Sequence, residues 1–402
     1  MREGLRFDPP PVVFTPEVRW ALLRAFGPPE RDCAPPPDAE SALEKARRLS
    51  LSARIAARVP RVRLVAELGE AVAGAFVADF RGAAASTVWL GQFAREVASV
   101  AQPLGVPVIL LKHAALDCSG VLELGGRSVS DLDALVPERR ARELRGALLQ
   151  RGYREVDFHP EEHQLPPMSH PSGAVVEIHT AIPGLCLGRG RAWADADALL
   201  RRGLTAPAQG MPTGCFVPSR EVLLAHLLVH ALDQHGLAPF SYPLLRAVGD
   251  LLDLRFASGE LAAFLAGPFE WIRLAVSEAE VRAFAELGDR LAAGDETLAA
   301  DGAAADDAGR LLAHIVAGTF DGSYQQALKF QAMSHRRHHG SPAGRLRELG
   351  HTLLLTRQQI DIIYGRPRTG LGYLGWRLVR PFDLVRRLAR YTVSAIRLRR
   401  SR

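Results

Sequence analysis

Residues 127–136 read RSVSDLDALV and join two acidic side chains to an apolar, strand-like end. Side chains of a strand alternate between the two faces of a sheet, so Asp131 and Asp133 are predicted to face the same side. The apolar residues 134–136 that follow indicate that both carboxylates lie at the mouth of a buried strand. A pair of aspartates two apart is also common in solvated turns, so its meaning depends on what accompanies it.

A second strand carrying an acid is predicted at residues 175–180, which read VVEIHT. Glu177 stands there between two β-branched apolar residues, an unusual choice unless its face of the strand lines a site. If the two strands are neighbours, Asp131, Asp133 and Glu177 converge, and carboxylates so close together in a low dielectric require a cation. The expected cofactor is Mg²⁺, or Mn²⁺ in its place, because these ions accept carboxylate oxygens and retain positions for water and phosphate.

The rest of the chain predicts an α+β fold with helices at both ends. The apolar run at residues 106–111 and residues 153–158 are predicted as strands, and residues 137–151 as an amphipathic helix. Helical spacing fills residues 62–101 as one long helix or two, and it returns after residue 215. There, Ser219 is a suitable N-cap for a helix toward Gln234. We therefore predict four regions: a proline-rich lead and helical region (1–100), a small mixed-sheet core (101–215), a helical domain (216–345) and a basic C-terminal helical tail (346–402).

Composition excludes several classes of protein. Hydrophobic residues make up 48% and charged residues 23% of the chain, which is typical of a globular protein and not of a disordered one. The four cysteines have no zinc-like spacing, and reduced thiols indicate the cytoplasm. Residues 1–14 lack the apolar centre of a signal peptide, and no apolar run is long enough to predict a transmembrane segment.

Three short motifs carry a resemblance to a known family. Residues 110–112 (LLK), 127–133 (RSVSDLD) and 176–179 (VEIH) resemble the uncharacterised nucleotidyltransferase family of the polymerase-beta superfamily. Its members show a strand end LKG, a strand RxxxDIDLLV and a later strand VELHW. The similarity runs from about residue 40 through a histidine-containing segment at 223–235 to Tyr364 and Gly365. It implies a small mixed-sheet nucleotidyltransferase core flanked by the helical regions.

The resemblance implies roles for the residues of these motifs. Asp131 and Asp133 would bind the metal ions, and Glu177 would complete the metal site and help to deprotonate an acceptor hydroxyl. Lys112 would contact the triphosphate; it is one of three lysines in the chain, and the alternative is an ordinary residue at a strand end. Ser130 would lie on the nucleotide side, and Arg127 would either neutralise phosphate or pair with a nearby acid.

His113 is a departure, because the family has glycine after the lysine. A glycine lets phosphate approach backbone amides, whereas a histidine would crowd that space or itself donate to a phosphate. Histidines are also expected around the site: His179 shares a face with Glu177, and His226 and His230 lie on one predicted helix face. The neighbouring loop histidines at positions 159, 163 and 170 are predicted to be exposed and without a role.

The reaction implied is transfer of a nucleoside monophosphate from an NTP to an acceptor hydroxyl on a small molecule, sugar or peptide. Two alternatives stay open: a toxin-like enzyme that modifies tRNA or protein, and a nucleotide-binding or scaffold protein that has lost turnover. The tail after residue 376 carries nine arginines against Asp383 alone, with an apolar stripe at helical spacing. Such a helix could contact RNA or an anionic membrane surface, but we expect the stripe to pack against the helical domain.

Overall fold

A computed structural model describes residues 9–122, 124–156, 163–188, 192–235, 244–256, 258–299, 306–326 and 370–400, with residues 328 and 360. Residues 1–8 of the predicted lead lie outside the described residues. So do the end of the strand predicted at 153–158, His159, and residues 346–359, 361–369 and 401–402 of the predicted tail, which include Tyr364 and Gly365.

Helices form the N-terminal region. They are α1 (Pro16–Phe26), α2 (Ala39–Arg48), α3 (Ser52–Arg58), α4 (Arg61–Leu68) and α5 (Glu70–Ala101), followed by a 3-10 turn at Gln102–Leu104. Gly69 has a φ of +80°, a left-handed conformation that glycine adopts at little cost, and it separates α4 from α5. The long helical stretch predicted after residue 62 is therefore two helices.

A mixed sheet of seven strands forms the centre, in the order β3-β4-β5-β2-β1-β9-β8. Its strands are β1 (Val108–Leu110), β2 (Asp131–Leu135), β3 (Arg154–Glu155), β4 (Met168–Ser169), β5 (Val175–His179), β8 (Thr205–Pro207) and β9 (Cys215–Pro218). A separate two-stranded sheet joins β6 (Ala181–Ile182) to β7 (Ala194–Asp195). Strand β2 pairs with β5 in parallel and with β1 antiparallel, so the two acid-bearing strands are neighbours.

Helices connect the strands and then follow the sheet. They are α6 (Lys112–Cys118), α7 (Glu138–Gln150), α8 (Ala196–Arg201), α9 (Arg220–Val229), α10 (Leu244–Asp253), α11 (Ser258–Ala266), α12 (Glu278–Ala292), α13 (Asp307–Phe320) and α14 (Gly370–Arg400). Short 3-10 turns lie at Pro268–Trp271 and Glu296–Ala299. The Ser219 hydroxyl accepts a hydrogen bond from the Val222 amide (3.4 Å), which confirms the predicted N-cap of α9.

The predicted α+β architecture with a mixed sheet is confirmed. One cluster of buried apolar side chains runs from Phe14 through the sheet to Val316. It crosses the predicted divisions at residues 100 and 215, and the four-region division itself stays a prediction. Among the described helices, none combines the length and apolar character needed to cross a bilayer.

For the part of the C-terminal stripe that the structure describes, the prediction that it packs against the helical domain was wrong. On α14, the apolar side chains of Leu378, Val379, Phe382 and Val385 are exposed, whereas Arg380 and Asp383 are buried. A buried guanidinium and carboxylate hydrogen-bond to each other, so the helix turns its charged pair inward and its apolar stripe outward.

Candidate active site

The pairing of β2 with β5 brings the predicted carboxylates together. In this parallel pair Asp133 lies opposite Glu177, Asp131 opposite Val175 and Leu135 opposite His179. Residues opposite each other in a sheet project to the same face, and so do residues two apart in a strand. The two central strands therefore present their acids and His179 on one face.

Lys112 enters the site from the end of β1. Because β1 runs antiparallel to β2, the Leu111 amide donates to the Asp133 carbonyl (3.0 Å), and the next residue lies beside that aspartate. Lys112 opens α6 with a φ of +47°, a conformation that costs a residue with a Cβ about 1 kcal/mol or more. Its Nζ donates to Asp133 Oδ1 at 2.7 Å. A strained residue at a strand-to-helix junction thus holds an ammonium against the buried carboxylate.

His179 contacts both acids. Its Nε2 lies 2.8 Å from Asp133 Oδ1 and 3.6 Å from Glu177 Oε2. The ring is buried, and its Nδ1 has no hydrogen-bond partner among the described residues. The sequence placed His179 at the periphery of the site, whereas the geometry puts its ring nitrogen in contact with the carboxylates.

The surroundings of Asp133 and Glu177 shift the pKa values of these two carboxyl groups in opposite directions. Burial alone would raise the pKa of Asp133, but the Lys112 ammonium and the hydrogen bond with His179 outweigh it and hold this pKa well below its usual range. Burial, reinforced by the Asp133 carboxylate, raises the pKa of Glu177 above its ordinary value of 4.5. Asp133 is therefore the permanently ionised group, and Glu177 is the better proton acceptor.

The donor set of this site fits a divalent cation. Asp133, Glu177 and His179 each offer one ligand atom, and these atoms all lie within 4.8 Å of one another. With Asp131 included, three carboxylates stand against the single ammonium of Lys112, so a divalent cation would balance the excess negative charge. An imidazole nitrogen beside carboxylates is a donor set that Mn²⁺ and other first-row metals accept more readily than Mg²⁺ does.

Asp131 stands at the outer end of the same face. It is half-buried, and the Ser130 hydroxyl donates to its Oδ1 at 2.9 Å. Its carboxylate is not part of the compact set of Asp133, Glu177 and His179. The structure therefore brings carboxylate oxygens of two of the three predicted acids, Asp133 and Glu177, within 4.8 Å of each other, and Asp131 lies outside this set.

His113 and Arg127 both make contacts with helices. The buried His113 ring lies with its Nε2 3.3 Å from the Thr87 hydroxyl of α5. Arg127 pairs with the buried Asp250 of α10, which is the second of the two roles that its sequence allowed. The assignments of His113, Arg127 and Ser130 to nucleotide binding stay predictions.

Further histidines surround the Lys112–Asp133 pair. Burial, followed by the charge of Lys112, lowers the pKa of His226 on α9 to about 3, so its ring is neutral at physiological pH. His230 begins a π-helical turn, His230–Gln234, and its ring centroid lies 6.2 Å from that of His226. Single π turns inside helices occur frequently at functional sites.

The prediction that His163 is exposed was wrong, because its side chain is half-buried beside the site. Its ring stacks on that of His179 with centroids 5.5 Å apart, and burial lowers its pKa to about 4. The Thr180 amide donates to the His163 carbonyl at 2.8 Å, which ties this segment to the end of β5. No spacing rule within the sequence relates it to β5, because the contact depends on how the chain folds back.

A mixed sheet whose central strands hold clustered carboxylates beside a lysine is an α+β arrangement suited to bind a divalent cation and a phosphate group. The chain belongs to the uncharacterised nucleotidyltransferase family, whose family model matches residues 35–262. This match spans more than half of the chain and includes the whole sheet and α9. No curated protein and no solved structure matches the chain.

Proposed function

We propose that the chain transfers a nucleoside monophosphate from an NTP to a hydroxyl group of a small molecule, sugar or peptide. The acceptor oxygen would attack the α-phosphorus, the bond from that phosphorus to the bridging oxygen would break, and pyrophosphate would leave. The observation that carries the proposal is the register of β2 against β5, which sets Asp133 beside Glu177 with the Lys112 ammonium on the same carboxylate.

Two side chains are suited to the two ends of this reaction. The Lys112 ammonium is a point charge that can contact the phosphate oxygens once a ligand competes for it. Glu177 has a raised pKa and is half-buried beside the cluster, so its carboxylate is suited to take the proton of the acceptor hydroxyl. Both groups lie on secondary-structure elements, Lys112 at the start of α6 and Glu177 within β5, which position them before a substrate binds.

We propose Asp133, Glu177 and His179 as the inner metal ligands, with Asp131 reaching the same ions from the outer end of β2. When bound, the divalent cation would neutralise phosphate charge and favour the ionised form of the acceptor hydroxyl. The role of this chain's residues is to hold those ligands in register and to keep Asp133 ionised. Mg²⁺ and Mn²⁺ both fit this role, and His179 favours Mn²⁺.

The position of His113 bears on the reading in which turnover has been lost. That reading rested on a histidine side chain crowding the phosphate position. The ring is instead buried against α5, and burial lowers its pKa to about 2. The buried position of His113 favours an active enzyme over a scaffold that has lost turnover. Among the described residues of the LKG-like motif, Lys112 is the one whose side chain contacts a carboxylate of the site.

The acceptor is proposed as a small molecule, sugar or peptide, with the modification of tRNA or protein as the alternative. The four cysteines are free, which fits a reducing cytoplasm where NTPs are available. An acceptor screen with labelled NTP distinguishes the two classes, because label in a macromolecule would support the toxin-like alternative.

NTP binding measured by calorimetry, with and without Mg²⁺ or Mn²⁺, tests the proposal. The wild type is expected to bind NTP in a metal-dependent manner, and Asp131→Asn is expected to weaken this binding and to abolish pyrophosphate release. Asp197→Asn, which changes a half-buried acid on α8 that pairs with Arg139, is the matched control and should behave as the wild type. Absence of NTP binding under every metal condition would contradict the proposal.

The ligand role of His179 has a separate test. Titration with Mn²⁺ alone, followed by electron paramagnetic resonance, is expected to show nitrogen coupling in the wild type and none in His179→Asn. Mn²⁺ affinity should fall at least tenfold in that variant, while Mg²⁺ affinity falls less because Mg²⁺ gains less from an imidazole. Equal loss of both affinities would indicate that His179 only orients Asp133.

A further inference from the structure

Helix α14 carries an exposed apolar stripe that the proposed function does not use. Six of its large apolar side chains are exposed: Leu371, Leu374, Leu378, Val379, Phe382 and Val385. Thirteen large apolar side chains are exposed in the part of the chain that the structure describes, so nearly half of them lie on this one helix. Exposed apolar residues scattered singly need no explanation, but a contiguous stripe indicates a binding surface.

The spacing of these residues places them on one face. Leu371, Leu374, Leu378, Phe382 and Val385 follow one another at intervals of three or four residues, which is the repeat of a helix face. Leu371 is 79% and Phe382 is 76% exposed, so the stripe is accessible along its length. The buried Arg380 and Asp383 lie on the other side of the helix and hydrogen-bond to each other at 3.5 Å.

The charge of the helix indicates what could cover the stripe. Between residues 370 and 400 there are eight arginines and one acid, Asp383. The side chains of Arg377 and Arg386 are exposed beside the stripe. Two copies of this helix packed stripe to stripe would bring their arginines together and repel each other, whereas an anionic surface would be attracted.

We propose that α14 docks the protein on an anionic lipid surface, with the stripe buried among the acyl chains and the exposed Arg377 and Arg386 against the lipid phosphates. None of the described helices is long and apolar enough to span a bilayer, so the helix would lie in the interface. Burial of an apolar face or attraction to anionic lipid gives only weak and reversible membrane binding when it acts alone. The two contributions together are expected to give stable binding.

Flotation of the full-length protein with vesicles tests the inference. Vesicles of phosphatidylcholine mixed with phosphatidylglycerol are expected to carry the protein, and vesicles of phosphatidylcholine alone are expected to carry at least tenfold less. Raising the salt concentration should reduce binding to the anionic vesicles, because salt screens the arginines. Equal flotation with both kinds of vesicle, or with neither, would overturn the proposal.

A pair of variants distinguishes membrane binding by the stripe from nonspecific binding by exposed apolar side chains. Leu378→Ser combined with Phe382→Ser is expected to weaken binding to anionic vesicles at least tenfold. The matched control is Val62→Ser on α4, which changes an equally exposed apolar side chain elsewhere (78% exposed) and should leave binding unchanged. Because all three positions are exposed, the melting temperatures should match that of the wild type.

The competing occupants of the stripe give different results. A second copy of the chain would appear as a dimer in light scattering without lipid, and the Leu378→Ser/Phe382→Ser variant would convert it to a monomer. RNA would bind with a strong dependence on salt and would be insensitive to those two substitutions. Either result, together with failure to float, would replace the lipid surface as the partner.

Discussion

Asp131 and Asp133 are two residues apart on β2, yet their surroundings differ. Asp133 is buried and contacts both Lys112 and His179, while Asp131 is half-buried and accepts a hydrogen bond from its neighbour Ser130. The sequence gives them equal weight as metal ligands. The structure gives Asp133 an additional part in stability, because removing one partner of a buried ion pair leaves the other charge uncompensated.

Asp133→Asn is therefore expected to lower the free energy of unfolding by about 2–4 kcal/mol, and Asp131→Asn by less than about 0.5 kcal/mol. Both variants should lose activity. Urea unfolding of the two variants beside the wild type measures the difference. A double variant, Lys112→Met/Asp133→Asn, should recover part of the loss because it removes the stranded charge; equal stabilities of the two single variants would contradict this account.

His113 makes the stability of the folded protein depend on pH. Burial lowers its pKa from the ordinary 6.5 to about 2, so its neutral ring contributes stability that is fully present above pH 6.5. The unfolded chain takes up a proton as the pH falls below that value, while the folded chain does not, and the contribution is lost progressively toward pH 2. Burial is the largest cause, followed by the charges of Arg127 and Arg246.

Replacing His113 with leucine should remove this contribution to the pH dependence. Between about pH 7.5 and about pH 5.5, we expect the wild type to lose roughly 1.4 kcal/mol more stability than His113→Leu does. Denaturant unfolding at both pH values measures it, and comparison with the variant cancels the other buried histidines. Parallel losses in the two proteins would mean that the ring does not stay neutral in the folded state.

The loop before β2 packs closely against α5. Gly125 has a φ of +83°, and a Cβ at this position would lie 2.3 Å from the Phe80 ring. The loop therefore needs glycine for its backbone conformation and for the close approach of α5. Its position matters for the site because it leads directly into the strand that carries the two aspartates.

Gly125→Ala is expected to destabilise the protein by about 2–3 kcal/mol, through backbone strain and displacement of Phe80. Gly146→Ala is the control: this residue lies inside α7, where a Cβ would meet nothing within 4 Å. Alanine there should stabilise the helix by about 0.5–1 kcal/mol. Thermal melts of both variants measure these changes in stability. A neutral effect of Gly125→Ala would show that the loop can move.

For the whole molecule, buried contacts join regions that the sequence separated. Arg54 of α3 pairs with Asp253 of α10 at 2.9 Å, and Arg127 before β2 pairs with Asp250 of the same helix. The large apolar cluster includes residues of the N-terminal helices, of the sheet and of the helices from α9 to α13. These helices thus share one core with the sheet.

We expect residues 101–215 alone to remain unfolded, and the whole chain to unfold in one transition. The isolated segment would expose the apolar surfaces that α5, α9 and α10 cover, and it would lose the acid partner of Arg127. Circular dichroism of the segment, and coincidence of near- and far-ultraviolet signals in urea for the full chain, test this. A cooperatively folding segment would support the separate core that the sequence predicts.

Local patterns allowed much of the fold to be predicted. Asp131 and Asp133 are two residues apart, and so are Glu177 and His179. This spacing, like the apolar runs that mark β1, β2 and β5, can be read from residues close together in the sequence. The helix boundary at Ser219 follows from its cap. Strands as short as β4 and β7 carry too few residues for any pattern, so the sequence did not predict them.

The sequence by itself determined which groups could do chemistry: the clustered acids, the lysine at a strand end and the arginines of the tail. Only the tertiary structure decided which of them meet. The register of β2 against β5 placed His179 with Asp133 and left Asp131 outside, and the packing of α5 and α10 drew His113 and Arg127 into contacts with helices. The reason is physical, because a periodic pattern fixes the face on which a side chain lies, whereas its partner comes from a distant part of the chain.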